Sequence, residues 1–491
     1  MIPNDRTREV SSQDCARDTS PNGTESAKGT ALLGNFADYK RIQPSLVHKF
    51  IIKIIMRILT VLLVVLSVGD AAFAVPSFAR QTGLSCNACH STPPELTAFG
   101  RKFKLNGYVL TETTVKDKIG NSKDLLLSKY IPLSVMILLS DTAYQANQPS
   151  TQNGTAGFPQ QLSIFLAGAF ASHFGGLAQF TYTHQNDHFG MDNTDLRYAN
   201  QKTLGGHDLV YGITLNNNPT VEDVWNSTPA WGFPWISSSS GISPLASPLL
   251  KGALGQDVAG VGAYSMWDSH LYLDVSMYRS EHARGPIPVT GTNYQYNISG
   301  VAPYWRAGWQ QTWGSNYLEV GTYGIHLNSH PRAIAGPEDR YLDAAFDFQY
   351  ERPFGTHFLD AHGTYIHETS DLRATFGAGG ASAQSSHLNT VKLDSTYHWT
   401  SKYSATGAVF STTGNADPLL YAQAAVTGSN NGSPNTSGYI AQFSYWPVQN
   451  IDINLAYTGY LKFNGARTNY DGANRKASDN NTLYVALWLN F

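Results

Sequence analysis

The feature that most constrains the fold of this 491-residue chain is a period-2 alternation of apolar and polar residues. It recurs from about residue 128 to the C terminus. In Leu271-Tyr-Leu-Asp-Val-Ser-Met277 the odd positions are apolar, whereas Tyr272, Asp274 and Ser276 face the other way. Successive side chains of a strand point to opposite faces, so the pattern indicates strands with one apolar and one polar face. About sixteen segments of this kind, each of roughly ten to fourteen residues, predict an all-β fold.

The connections between these segments alternate in length. Short ones, such as Gly314-Ser315, alternate with long Gly/Ser/Asn-rich ones, such as residues 217–255 and 414–436. This arrangement is typical of an even-stranded outer-membrane barrel with short periplasmic turns and long external loops. Apolar residues at every second position before the C-terminal Phe491 resemble an outer-membrane insertion signal. We predict a transmembrane β-barrel of about sixteen antiparallel strands over residues 128–491. A soluble β-sandwich or propeller is the alternative, although no blade-length repeat is visible.

Composition agrees with a barrel better than with a cytosolic enzyme. Charged residues make up 14% of the chain and aromatic residues 12%, with 44 glycines and three cysteines. Such a composition suits many strands joined by polar turns. Beyond the N-terminal region no run reaches eighteen uninterrupted apolar residues, which argues against a helical membrane protein.

The N-terminal region has the order of an export signal. Met56-Arg57 precedes an apolar core at residues 58–68 and an Ala72-Phe-Ala74 cleavage site. A membrane anchor over residues 51–68 is the alternative, but Lys53 and Arg57 interrupt it. We predict a signal peptide at residues 56–74 and interpret residues 1–55 as a wrongly assigned upstream extension.

Cleavage after residue 74 would change the charge and the cysteine count. It removes nine Lys/Arg and seven Asp/Glu residues and leaves 24 basic and 29 acidic residues, a formal charge of −5. A nucleic-acid-binding protein would present a basic face, so we expect no nucleic-acid partner. It also removes Cys15 and leaves Cys86 and Cys89. Two cysteines three positions apart in an exported protein need a common explanation.

These cysteines belong to Cys86-Asn-Ala-Cys89-His90, the C-x-x-C-H pattern of covalent haem c attachment. Two thiols at this spacing reach the two vinyl groups of one porphyrin, and the adjacent imidazole becomes the proximal ligand of the iron. We predict one covalent haem c on Cys86 and Cys89, with His90 as the metal ligand. A redox dithiol usually lies in a βαβ unit, which is missing here, and a zinc site needs four ligands where this segment offers three.

The residues after the motif predict a short helix. Pro93-Pro94-Glu95 resembles a helix start. An apolar stripe at i, i+3, i+4 and i+7 follows and is expected to lie on the porphyrin: Leu96, Phe99, Gly100 and Phe103. Three basic residues flank it: Arg101, Lys102 and Lys104. They either neutralise haem propionates or form a solvated basic face.

The haem segment, residues 75–127, is too small to enclose a porphyrin by itself. It contains no Met and no His other than His90. We therefore expect the barrel to supply the walls of the haem pocket and any second axial ligand, with the segment folded into the periplasmic mouth or lumen. Met136 and His398 are candidates on lumen-facing sides, whereas Met277 lies on the lipid-facing side. A five-coordinate or water-ligated haem is the alternative.

Residues 76–108 resemble the haem segment of the fused cytochrome-porin iron oxidases, which are outer-membrane monohaem proteins of iron-oxidising bacteria. The stretch carrying the resemblance is Pro76-Ser-Phe-Ala-Arg-Gln-Thr-Gly-Leu-Ser-Cys86-Asn-Ala-Cys89-His90-Ser-Thr-Pro-Pro-Glu95-Leu-Thr-Ala-Phe-Gly-Arg-Lys-Phe-Lys-Leu-Asn-Gly-Tyr108. The order of signal, haem segment and barrel also fits, but the barrel is similar only in pattern. Only Cys86, Cys89 and His90 carry roles over from the family.

The resemblance implies oxidation of extracellular Fe(II), with the electron passed through the haem to a periplasmic carrier. This would make the protein an outer-membrane, one-electron iron:cytochrome oxidoreductase whose partners are Fe(II), that carrier and outer-membrane lipid. Some family members have no established donor. Two other functions stay open: a solute-conducting porin with an accessory haem segment, and a covalent-haem enzyme such as a peroxidase.

No iron-binding residue transfers from the family. Loop acids that would attract Fe(II), or would simply be solvated, are Glu222, Asp223, Glu338, Asp339, Glu368 and Asp371.

Overall fold

The computed structural model describes residues 76–110, 131–149, 151, 153–184, 187–281, 296–333 and 335–491. These residues belong to one compact unit, Leu59–Phe491. The predicted upstream extension and signal peptide lie outside the described residues, so both stay predictions. Among the residues described, no helix combines the length and apolar composition needed to cross a bilayer.

Strands make up most of the described chain. In chain order they are β1 (Leu133–Tyr144), β2 (Thr155–Ala171), β3 (Phe174–Thr183), β4 (His188–Leu204), β5 (His207–Asn216), β6 (Val258–Trp267), β7 (Leu271–Ser280), β8 (Tyr296–Ile298), β9 (Ala302–Trp313), β10 (Asn316–Pro331), β11 (Asp339–Phe354), β12 (His357–Asp371), β13 (Ser385–Thr400), β14 (Tyr403–Gly414), β15 (Thr436–Val448), β16 (Ile451–Lys462) and β17 (Thr482–Asn490). They form one antiparallel sheet that closes on itself, because β1 pairs with both β2 and β17.

The closed barrel has sixteen strands in the described part of the chain. Strands β8 and β9 both pair with β10, through Ile298↔Ser329 and Tyr304↔Ile325, so together they form one interrupted barrel strand. The predicted sixteen-stranded, all-β fold is therefore confirmed. The barrel is predicted to begin at residue 128; within the described residues its first strand, β1, pairs with β17 as far as Tyr144↔Thr482.

The two faces of the wall differ as the alternation predicts. On β7, the side chains of Leu271, Leu273, Val275 and Met277 are between 40% and 56% exposed, whereas those between them are almost fully buried. Met277 is thus on the outer face, as expected. An apolar outer face around a polar interior is the construction of an outer-membrane barrel, and we describe the fold as porin-like.

The connection from β5 to β6 spans residues 217–257, and the sequence predicts an external loop over residues 217–255 of it. Instead their first part folds into the lumen, and we call the connection the inserted loop. Its Trp225 is completely buried and packs edge-on against Tyr272 of the wall at 5.4 Å between ring centroids. Its Asp223 pairs with Arg306 of β9 at 3.0 Å. Buried aromatic and ionic contacts with the wall therefore hold this connection inside the barrel.

Short helices account for most of the remaining regular structure. The described α-helices are α1 (Ser77–Thr82), α2 (Cys86–Cys89), α3 (Ala98–Leu105) and α4 (Arg373–Gly377), with 3₁₀ turns at Pro229–Trp231, Leu249–Lys251 and Ala477–Asn480. The helix predicted to start at Pro93-Pro94-Glu95 begins later, at Ala98. Thr97 caps it, because its hydroxyl accepts a hydrogen bond from the Gly100 N–H at 3.2 Å.

Candidate functional site: a cysteine-lined cavity inside the barrel

Residues 76–110, the lumen segment, lie inside the barrel at the end with the short turns. Near the start of the segment, the Ser77 hydroxyl and the Gln81 amide both donate to the Ala167 carbonyl of β2, at 2.5 and 2.8 Å. The Cys86 N–H donates to the side chain of Gln449 in the turn after β15, at 2.9 Å. These contacts fix α1 and α2 to two separate stretches of the wall.

Helix α3 is held by buried basic side chains. Arg101 forms a bidentate ion pair with Glu351 of β11. The Lys104 ammonium donates to the carbonyls of Val221 and Asp223 of the inserted loop at 2.7 and 2.6 Å. Both side chains are therefore structural anchors rather than a solvated basic face, and Lys102 alone of the three predicted basic residues is exposed.

Aromatic rings and a buried acid complete the docking. Phe78, Phe103 and Tyr108 pack together with ring centroids 5.1 to 6.0 Å apart and so join α1 to the end of α3. The Tyr108 hydroxyl donates to Asp195 of β4 at 2.6 Å, and Asp195 also pairs with Arg197 at 2.8 Å. Burial, followed by the negative charge of Asp195, raises the pKa of Tyr108 well above its usual range.

The lumen segment and the wall enclose a cavity of about 270 Å³, which we call the cysteine cavity. Cys86, Cys89 and His90 all lie on its surface. Its apolar walls come from the segment and from four elements of the barrel, and they include Phe78, Leu96, Phe103, Val135, Phe165, Leu177 and Trp488. The barrel thus supplies walls that the segment lacks, as the sequence predicts.

The two thiols lie in an environment that keeps them protonated. Burial raises the pKa of Cys86, and burial followed by the nearby Cys86 raises the pKa of Cys89 to about 11. Reactive dithiols have lowered pKa values, so these cysteines do not resemble a redox dithiol. Nor do Cys86, Cys89 and His90 converge as a set of metal ligands among the described residues, which argues against a zinc site.

His90 is oriented by the backbone just downstream. Its Nδ1 lies 3.1 Å from the carbonyl oxygen of Glu95, a distance at which Nδ1–H donates and Nε2 keeps its lone pair. Burial lowers the pKa of His90, so the imidazole is neutral, as an iron ligand must be. A neutral imidazole beside two protonated thiols on one apolar cavity fits a covalent haem c.

Gly100 allows α3 to approach α2 closely. A Cβ at this position would lie 2.2 Å from the Cys89 carbonyl oxygen and 3.0 Å from a methyl group of Leu96. Three residues of the predicted apolar stripe line the cysteine cavity: Leu96, Gly100 and Phe103. The fourth, Phe99, does not line it and is 39% exposed.

Neither candidate for a second axial ligand lines the cysteine cavity. Met136 is buried on the inward face of β1, but the cavity is lined by its neighbours Ser134 and Val135. His398 directs Nε2 at Asp360, at 3.1 Å, on the other side of the lumen segment. Apart from His90, no His or Met is among the cavity-lining residues that the structure describes. The second axial ligand of the predicted haem therefore stays unassigned, and a five-coordinate or water-ligated haem stays the alternative.

Most of the loop acids proposed to attract Fe(II) are not solvated. Asp223 pairs with Arg306 and Glu222 is fully buried beside it. Asp339 and Glu368 lie on strands and accept backbone N–H groups of Ala374 and Leu249, at 2.7 and 2.8 Å. The exceptions are Asp371, which pairs with Arg373 at the surface, and Glu338, which lies 3.7 Å from His330. The four buried acids therefore stabilise the fold and do not form an external collecting surface.

Sequence reasoning missed the contribution of the inserted loop and of Glu95. Asn226 and Trp231 of the loop line the cysteine cavity, and the Asn226 amide donates to the Pro94 carbonyl at 2.7 Å. Glu95, interpreted from the sequence as part of a helix start, instead points its carboxylate at His362 of β12. The sequence signal available for Glu95 was a single acidic residue among uncharged neighbours. The sequence of the inserted loop gave no such signal.

Comparisons with known proteins found matches among solved structures alone. No protein-family profile matches the sequence, and no curated relative matches it. Among solved structures, OmpF of Salmonella typhi in complex with daunomycin has a TM-score of 0.43 at 11% identity, covering 74% of this chain and 98% of that one. The outer membrane channel DcaP of Acinetobacter baumannii gives 0.42 at 13% identity, covering 73% and 96%. OmpT of Vibrio cholerae gives 0.40 at 10%, covering 75% and 100%. The sixteen-stranded fold rests on the strand pairing itself.

Proposed function

We propose that this protein is an outer-membrane c-type cytochrome that carries electrons from an extracellular donor to a periplasmic acceptor. The observation that supports it is the position of Cys86, Cys89 and His90 on one apolar cavity inside a closed barrel. A covalent haem held there would supply a one-electron redox centre in the lumen. Fe(II) as the donor, and a periplasmic carrier as the acceptor, follow from the family resemblance.

The residues of the chain have two tasks in this proposal. The first is to position the group, which Cys86 and Cys89 do by thioether bonds and His90 by its oriented imidazole. The second is to block the lumen to solutes. Arg306 is fully buried among Asp223, Asp347 and Glu319, and with Trp225 it joins the inserted loop to the wall. The cavity also includes Trp488 and Asn490 near the short-turn end, which suits electron transfer towards the periplasm.

A solute-conducting porin with an accessory haem segment is the second candidate. The sixteen-stranded wall and a loop folded into the lumen are features of porins, and as far as the fold goes they support this function more directly than electron transfer. Electron transfer is supported instead by the cysteine cavity. It is also supported by α3 and the inserted loop, which contact each other inside the lumen and occupy it there.

Two assays on the same preparation separate these candidates. We expect Fe(II) to reduce the haem of the full-length protein in stopped-flow mixing, and liposomes carrying it to leak small sugars no faster than empty liposomes. The Cys86→Ser/Cys89→Ser double variant is the control, because it keeps the wall and removes the thioether bonds. Sugar leakage by both proteins, without Fe(II)-dependent haem reduction by the wild type, would establish the porin instead.

A further inference from the structure

A second cluster of side chains lies where the lumen segment meets strands β12 and β13. Glu95 is 1% exposed, and its Oε1 lies 3.1 Å from His362 Nε2. Within the described part of the chain, neither Glu95 Oε2 nor Asp360 Oδ1 has a hydrogen-bond partner, although both atoms are buried. Ligand atoms of Glu95, Asp360 and His362 all lie within 4.8 Å of one another.

Among the described residues, no Lys or Arg side chain forms an ion pair with either carboxylate. Burying an ionised carboxylate without a partner costs several kcal/mol in real proteins. Two basic side chains in the same region are already engaged: Arg101 is paired with Glu351, and Lys392 interacts with Asp394. Two buried acids, Glu95 and Asp360, are therefore left with the imidazoles of His362 and His398 as their ion-pairing partners. A divalent cation between them would remove this imbalance.

The orientation of His362 suits a metal ligand. Its Nδ1 lies 3.1 Å from Asp394 Oδ2, so Nδ1–H donates to that carboxylate, and Nε2, which faces Glu95, would give its lone pair to a bound ion. This is the carboxylate–histidine–metal arrangement, in which the outer acid fixes the tautomer. Two ligand atoms bound at right angles about 2.1 Å from one ion are about 3 Å apart, which matches the separation of Glu95 Oε1 and His362 Nε2.

We propose that Glu95, Asp360 and His362 bind a divalent first-row transition-metal ion, with Asp394 as the orienting residue behind His362. Mixed imidazole and carboxylate ligands select such ions over Mg²⁺, which prefers oxygen ligands alone. His398 holds the second oxygen of Asp360 from the other side at 3.1 Å. That the ion is the Fe(II) donor rests on the proposed function; the binding site does not.

The surroundings give the ion a route in and a connection to the motif. His362 and Asp394 line a second cavity of about 280 Å³, which lies between the inserted loop and strands β12 and β13. Asn226 and Trp231 line both this cavity and the cysteine cavity. The backbone carbonyl of Glu95 is the group that orients His90. The Glu95 side chain would therefore bind the ion, while the backbone carbonyl of the same residue accepts the hydrogen bond that positions His90.

The test is equilibrium dialysis of the chelator-treated, full-length protein against Zn(II), followed by elemental analysis. We expect one zinc per chain in addition to the haem iron. Glu95→Gln and Asp360→Asn should each weaken zinc binding by roughly tenfold or more. Asp452→Asn, which changes a buried inward-facing acid of β16 outside the cluster, should leave binding unchanged. Mg(II) at the same concentration should not be retained.

A second measurement guards against misfolded variants. Without metal, Glu95→Gln should unfold at the same temperature as the wild type or higher, because it removes a buried carboxylate whose Oε2 has no hydrogen-bond partner among the described residues. Zinc should raise the unfolding temperature of the wild type only. No stoichiometric zinc in the wild type, equal zinc binding by Glu95→Gln, or equal retention of Mg(II) would overturn the proposal; a salt-bridged, protonated His362 would then explain the cluster. Zinc has no electron to give, so these results are independent of the haem-reduction assay that tests the proposed function.

Discussion

The wall of the barrel and the lumen segment are built by different physical means. The wall repeats one device, the alternation of an apolar outer face and a polar inner face, over sixteen strands whose neighbours are mostly adjacent in sequence. The lumen segment has short helices and is held by individual buried polar contacts to distant residues. Arg101 reaches Glu351, and Tyr108 reaches Asp195. The wall therefore tolerates many single changes, whereas the segment depends on a few partners.

This difference explains where the cysteine cavity gets its properties. The segment contributes the motif and most of the lining, and the barrel adds apolar walls through Val135, Phe165, Leu177 and Trp488. A region of this size has too little core of its own to enclose such a cavity. The cysteine cavity is thus a joint product of segment and wall, and the following changes separate their contributions.

The largest effect is expected from removing the wall altogether. A haem-bearing peptide of residues 75–127 should show no cooperative thermal unfolding, because its buried contacts are with the barrel. Its iron should bind carbon monoxide much faster than that of the full-length protein, since the outer walls of the cavity are gone. A peptide with the absorption spectrum, ligand-binding rate and redox potential of the full-length protein would show that the wall is not needed.

Breaking one anchor should have the next largest effect. Arg101→Met leaves Glu351 buried without its cation, and loss of one partner of a buried pair costs about 3–5 kcal/mol. The loss of stability is measured by urea unfolding, with hydrogen exchange as the probe of the lumen segment. Adding Glu351→Gln should recover much of the loss, and Lys102→Met, at an exposed position of the same helix, should be near neutral. An Arg101→Met variant as stable as the wild type would contradict the assigned anchor.

The outer face of the wall should respond to charge. Val275 lies mid-strand on β7 and is 56% exposed. An arginine on the lipid side near the bilayer midplane costs about 2–4 kcal/mol. Val275→Arg should therefore destabilise the protein folded in lipid vesicles by that amount. Ser269→Arg, in the turn before β7, is the control and should cost little. Equal effects at both positions would be inconsistent with a lipid-facing β7.

The smallest effect is expected at the contact between α2 and α3. Gly100→Ala should destabilise the protein by about 1–3 kcal/mol because the added methyl group overlaps the Cys89 carbonyl. Helix propensity alone would predict the opposite sign. Gly377 ends helix α4 with nothing within 4 Å of an added Cβ, so Gly377→Ala is the matched control. Stabilisation by both substitutions would show that α3 does not pack closely against α2.

The strands were predictable from the sequence because alternation is local. The outward position of Met277 and most strand bounds follow from it, and the C-x-x-C-H spacing locates Cys86, Cys89 and His90. The rest depends on contacts across long sequence separations. Nothing near Glu95 indicates His362, and nothing in the inserted loop indicates that Trp225 packs inside the barrel. The helix start at Ala98 was missed because two prolines outweighed the cap provided by Thr97.

The most direct test of a covalent haem in the lumen segment is the intact mass of the full-length protein matured in a periplasm competent for c-type cytochromes. The account predicts the mass of the mature polypeptide plus one haem, with the haem on the peptide that contains Cys86 and Cys89. The Cys86→Ser/Cys89→Ser variant should have the mass of the polypeptide alone and still resist unfolding in unheated detergent. A wild-type mass without haem would contradict the account.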